Sequence, residues 1–292
     1  MASTPRDSSK VDFAFAEKRR DTDHESFLSH ARMRWLKVSS AICLIVIVSY
    51  FLVDVEPRHN GGSWYGYTLG TIGAGLIVWL SLLGIRKRNI TDGRWSLKAW
   101  TSAHVYLGLA LTVVGTMHTG FQLGWNVHTL AWALMMLVIV SGIYGISVYA
   151  ALPRSLSTNR REMTRGQMIE ALAAIDRQLE AAAQPLGRSE SDAVIAALDQ
   201  DVFKAGLLAR LTGSYPRCAT ARALRAFPEG SLNKAEQKVA SLLSRRKSQL
   251  SQIRRQMRYK ALLQVWLYIH IPATIALIAA LLAHVISVFY YW

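Results

Sequence analysis

Four of the chain's eight histidines are spaced so that they could do chemistry together. His104 and His118 stand 14 residues apart, and His270 and His284 stand 14 residues apart again. Both pairs lie in apolar stretches, where an ionisable side chain is costly and by default marks function. In a helix turning by about 100° and rising 1.5 Å per residue, that spacing returns to within roughly 40° of the starting face and spans about 21 Å. Each pair therefore shares one side of its helix. Its members fall near opposite faces of a hydrocarbon core about 30 Å thick. Imidazole is an axial ligand of haem iron, and two imidazoles on facing helices can hold a flat macrocycle between them. Two stacked pairs can hold two such groups. Iron ligated by two imidazoles has no open position, which suits electron transfer better than oxygen chemistry. His104, His118, His270 and His284 are therefore the expected axial iron ligands of two non-covalent b-type haems. The two cysteines, Cys43 and Cys218, form no Cys-x-x-Cys-His motif, which excludes covalent c-type attachment. They also form no cluster for an iron–sulfur or structural zinc site.

The elements that must position these histidines are legible as five long apolar blocks, at residues 36–53, 64–84, 100–117, 130–152 and 262–291. Each approaches the roughly 20 residues needed to cross the hydrocarbon core as a helix, and almost no Asp, Glu, Lys or Arg interrupts them. The expected fold class is all-α: an integral membrane bundle of five transmembrane helices with a helical cytoplasmic insert. The expected divisions are a polar N-terminal segment (1–35), transmembrane helices 1–4 (36–152), a basic insert (153–258) and transmembrane helix 5 (259–292). Some 35 polar residues precede the first block, unlike a cleavable signal peptide, so the first span is expected to be retained.

The net charge of +15 is distributed by topology. Segment 85–98 carries Arg86, Lys87, Arg88, Arg94 and Lys98, and 151–260 carries twenty Lys and Arg against ten Asp and Glu. Segment 54–63 has only Arg58, and 119–127 has no basic residue. Basic loops mark the cytoplasmic side. The N-terminus, 85–98 and 151–260 are then inside, and the poor loops and C-terminal tail outside. The expected location is the plasma membrane, a bacterial inner membrane. The charge is not read as a nucleic-acid footprint. Under this topology the third and fifth blocks both run outward. His104 then pairs with His270 near the inner face, and His118 with His284 near the outer face. Antiparallel helices would pair His104 with His284 instead; the set of four is the same either way.

In the insert, Met168, Ile169, Leu172, Ile175 and Leu179 fall at helical spacing, closed by Pro185 and Gly187. A shorter helix is expected at 191–198 and a loop around 213–216. A long helix begins near Asn233, where Asn233 and Glu236 form a capping box. Val239, Leu243, Leu250, Ile253 and Met257 line its apolar stripe, and it can run straight into the fifth span because no Pro or Gly interrupts 233–270. Gly108 and Gly115, between the histidines of the third span, are candidates for close helix or ring approach, or for generic packing. Arg94, Lys98, Arg258 and Lys260 are candidate propionate partners or snorkelling anchors. His24, His30 and His59 read as solvated or interfacial. His128, beside Trp125 and Trp132, reads as interfacial, with a ligand, a propionate partner or a quinone donor as its functional alternatives.

Two co-directional helices, each with His-x13-His, resemble the haem core of the cytochrome b subunit of bc complexes. They also resemble the ferric-reductase-like transmembrane domain of membrane reductases and NADPH oxidases, whose third and fifth helices carry the histidines. The resemblance covers about 64–150 and 260–290. It departs in having five helices where that domain has six, and in the length of the insert. No Gly-x-Gly-x-x-Gly fingerprint follows His284 or occurs elsewhere, and no flavin and nicotinamide domain is expected. The resemblance implies a di-haem electron conduit and not a self-contained enzyme. Its redox protein partners would sit on one or both sides: a periplasmic cytochrome or similar outside, and a ferredoxin or flavoprotein docked on the basic insert inside. The alternative is a quinone-reactive cytochrome b subunit of a respiratory complex. A haem-free transporter or assembly protein using its histidines for protons or metal is the third reading.

Overall fold

The computed structural model describes residues 27–88, 96–150, 165–201, 203–227 and 233–290. The readings placed on residues up to 26, on Arg94, on 151–164 and on the last two residues lie outside this set. Every regular element among the described residues is helical. After a 3-10 turn at Phe27–Ser29 come α1 (His30–Leu52), α2 (Trp64–Arg88), α3 (Leu97–Thr119) and α4 (Val127–Ala150). The rest are α5 (Arg165–Ala183), α6 (Arg188–Leu198), α7 (Leu207–Thr212), α8 (Ala219–Arg225) and α9 (Lys234–Tyr290). Among the described residues, four stretches are long and apolar enough to cross a membrane: Phe27–Leu52, Trp64–Lys87, Val127–Ala150 and the helix Lys234–Tyr290. The third expected span, α3, has 23 residues, but Lys98, His104, His118 and its hydroxyl side chains leave it less apolar than these. The described residues divide into two compact units, one up to Gly142 together with those from His270, the other Ile143–Ile269.

In the first unit α3 packs against both α1 and α2. It buries Ser102, Ala103, Leu107, Ala110, Leu111 and Val114. By contrast α1 buries only Ser39 and Val46, and its Phe51 and Leu52 are 77% and 78% exposed. Apolar surface of that extent suits lipid, not water. The neighbours of α3 thus screen a helix that carries two histidines and several hydroxyl side chains. Two apolar layers flank it. One holds Leu80, Ala103, Leu107, Leu111, Met135 and Leu277, the other Val46, Val55, Tyr65, Leu69 and Val114. Both ends of α3 are fixed. The Ser96 Oγ accepts from the Ala99 N–H at 3.2 Å, and the helix stops at Gly120, which is left-handed at φ 56°. A Cβ on Gly120 would also collide with the His59 carbonyl, so glycine is required there twice over.

The second unit follows the expected helical stripes. Met168, Leu172 and Leu179 are buried while Ile169 faces out. Val239, Leu243, Leu250 and Ile253 are all buried along α9. The capping box forms: the Glu236 N–H donates to Asn233 Oδ1, and the Asn233 N–H donates to Glu236 Oε2, each at 2.9 Å. Replacing Asn233 with alanine is expected to cost about 1 kcal/mol, read as a small downward shift of the denaturant midpoint of the full chain. On the buried stripe sits Arg246, 1% exposed. Its Nε and Nη2 donate to Asp176 Oδ1 and Oδ2 at 2.7 and 3.2 Å, and its Nη1 donates to the Thr220 hydroxyl. Nearby, both Nη atoms of Arg254 lie 3.3 Å from Cys218 Sγ. Burial pushes the Cys218 thiol up, but backbone hydrogen bonds and the Arg254 guanidinium together outweigh it and hold the thiol below its ordinary range.

Candidate functional site

Each of the four histidines of the two pairs belongs to the first unit, and each has its Nδ1 engaged. On α3, His104 Nδ1 lies 3.1 Å from the Leu80 carbonyl oxygen, and His118 Nδ1 lies 2.8 Å from the Gly66 carbonyl oxygen. A carbonyl can only accept, so both nitrogens donate, and the lone pair of each ring is on Nε2. On α9, His270 Nδ1 lies 2.8 Å from Ser141 Oγ, whose own proton goes to the Val138 carbonyl at 2.8 Å. His270 is thus also the donor, with its lone pair on Nε2. His284 differs: its Nδ1 is hydrogen-bonded to Nδ1 of His128. Fixing the distal nitrogen in this way sets tautomer and ring direction, and it is the arrangement found behind metal-ligating histidines.

The structure brings two of the four, His118 and His284, into ring contact. The His118 and His284 rings lie 6.0 Å apart between centroids, at 80° to one another. Two imidazoles bound to one metal ion from opposite sides would have centroids about 6 Å apart, given nitrogen–metal bonds of roughly 2 Å and about 1 Å from nitrogen to ring centre. His270 lies within electrostatic reach of His104. Among the described residues no group of three or more His, Cys, Asp or Glu is arranged to hold a metal ion.

A cavity of about 880 Å³ opens beside the His118–His284 pair, and His128 lines it with them. Leu111, Leu277 and Leu281 give it an apolar wall, while Asn60 and Gln122 bring polar amides to it. An apolar pocket with a few convergent polar groups suits an amphipathic planar ligand.

The glycine that admits the His118 ring is on α2. A Cβ on Gly70 would sit 2.7 Å from His118 Cε1 and 3.0 Å from its Nδ1. Of the two glycines singled out on α3, Gly115 faces Met135, and a Cβ on Gly108 would meet nothing within 4 Å. Close approach at His118 is thus supplied by the neighbouring helix, which a reading of one helix at a time misses. The same holds for Ser141 and for the two acceptor carbonyls. His128, read as interfacial, is in ring contact with His284 at 4.5 Å between centroids. His59 stacks on Tyr50 at 4.2 Å. Arg258, one of the candidate propionate partners, is committed within the second unit, where its Nε donates to the Leu211 carbonyl at 3.1 Å. Arg94 and His24 lie outside the described residues.

No family model matches the chain, and neither does any curated protein or solved structure.

Proposed function

We propose that the chain is a di-haem b-type cytochrome that moves electrons across the plasma membrane between a partner on the cytoplasmic side and a redox protein on the outer side. The observation that carries this reading is the spacing of the His118 and His284 rings, 6.0 Å between centroids, which fits one shared iron. Donation from Nδ1 of His104, His118 and His270 supports it, because it leaves each Nε2 lone pair for a metal. In this reading α3 is the fifth crossing, shielded by its neighbours. His104 and His270 would hold the inner group, and His118 and His284 the outer one. Bound haem would supply a one-electron iron couple. The protein's part is to fix the rings through Leu80, Gly66 and Ser141, and to keep water from the irons with the apolar layers around Leu107 and Leu111.

Transfer across the bilayer is tested in vesicles carrying the purified chain, with ferricyanide trapped inside and a membrane-impermeant reductant outside. The expected result is reduction of the trapped acceptor well above the rate of protein-free vesicles. Equal rates would sink the electron-conduit reading.

Gly70 gives a second test. In Gly70→Ala the new methyl group must displace the His118 ring, which breaks its hydrogen bond to Gly66. Haem content is expected to fall from about two per chain towards one, with the surviving spectrum that of the inner group. Absorbance spectra of the purified variant check this, and an unchanged haem content would contradict it.

A further inference from the structure

We propose that His128 is a positioning residue for His284, accepting its Nδ1 proton and so holding its Nε2 lone pair for iron; this rests on the di-haem reading. Three of the four candidate ligands have an oxygen acceptor behind the ring: the carbonyls of Leu80 and Gly66, and the hydroxyl of Ser141. His284 has an imidazole nitrogen instead. A single proton is shared between the two Nδ1 atoms. If His128 donates it, His284 Nδ1 is an acceptor, and a neutral His284 must carry its own proton on Nε2, where it blocks ligation. If His284 donates it, Nε2 of His284 is open and the remaining proton of His128 is on its own Nε2. Only the second arrangement makes His284 equivalent to the other three.

The rings meet edge to face at 88°, so His128 points a nitrogen at His284 without stacking on it. His128 stands at the start of α4, 156 residues from His284 in sequence, and both rings line the cavity beside His118. An imidazole nitrogen is a stronger base than a carbonyl or hydroxyl oxygen. A His284 that donates to it becomes a more electron-rich ligand, which favours ferric over ferrous iron. The outer site is thereby set to a lower midpoint potential than it would have without His128.

The test uses the full chain, purified in detergent, as wild type and as His128→Leu, His128→Gln and His284→Ala. The readouts are haem per chain, haem affinity by titration into stripped protein, and the midpoint potential of each haem. The inner haem serves as an internal check on folding. The expected result is that His128→Leu keeps the inner haem, binds the outer haem about 10–100-fold more weakly, and raises the outer potential. His128→Gln offers an acceptor oxygen and is expected to recover much of both, which a packing role would not produce. Outer-haem affinity and potential unchanged in His128→Leu would overturn the inference while leaving the di-haem reading intact. So would a Gln variant no better than Leu. Retention of a normal outer haem in His284→Ala would make His128 the ligand and overturn the inference too. A wild-type chain that binds no haem would overturn the functional reading and this inference with it.

Discussion

His270→Ala is expected to leave purified protein with about one haem per chain where the wild type has about two, and the spectrum of the survivor should match that of His104→Ala. His118→Ala and His284→Ala should likewise match one another and retain the other haem. Pairing sets this expectation. The rings of His118 and His284 lie at the separation that one shared iron requires, and His270 is within electrostatic reach of His104. Removing either imidazole of a pair takes away one of the two nitrogen donors that would hold the group. The effect is near-complete loss of one group, larger than any change in its neighbour. The pattern of matches carries more information than the counts. If α3 and the last part of α9 ran in opposite directions, His104→Ala would match His284→Ala instead. Absorbance and redox titration of the four single variants distinguish the two patterns.

The second large effect is expected far from the histidines. Arg246→Ala should destabilise the second unit by about 1.5–3 kcal/mol, because Asp176, its side chain 27% exposed, loses the charged partner that the buried guanidinium supplies. Asp176 loses two charge-assisted hydrogen bonds, and the Thr220 hydroxyl, fully buried, loses the donor it faces. Against a total stability of roughly 5–15 kcal/mol for a domain, such a loss would open the unit to protease. Limited proteolysis of the full chain should show early cleavage between 165 and 227 in the variant. A double variant, Arg246→Met with Asp176→Leu, should recover much of the loss, since apolar replacement of a whole buried pair is often neutral. A proteolysis pattern in Arg246→Ala identical to wild type would show that the pair contributes little.

Much of the helical frame was legible in the sequence because it rests on local patterns. The apolar blocks at 36–53, 64–84 and 130–152 match helices to within a few residues at most ends. The Asn233–Glu236 capping box marks the start of α9 to the residue. The helix then continues through Pro272, which removes only the hydrogen bond to the Tyr268 carbonyl. Helices α7 and α8 were not legible: six and seven residues are too short to show a period. Arg246 was hidden in the run Arg245-Arg246-Lys247, which reads as a solvated face. Its position gives a signal nonetheless. It stands three residues after Leu243 and four before Leu250, on the same stripe as both.

At the candidate site, the equal spacing of four histidines is legible because spacing is a property of each helix alone. What stands behind each ring is not. Gly70, Ser141 and the acceptor carbonyls come from neighbouring helices, and the contact of His128 with His284 joins residues 156 apart. Packing decides such partners, and no spacing rule within one segment reports it.

The most direct test of the central claim is a pyridine haemochrome assay on the purified full-length chain. The account predicts a b-type spectrum with about two haems per chain. A chain that is folded in detergent yet yields no haemochrome would contradict it.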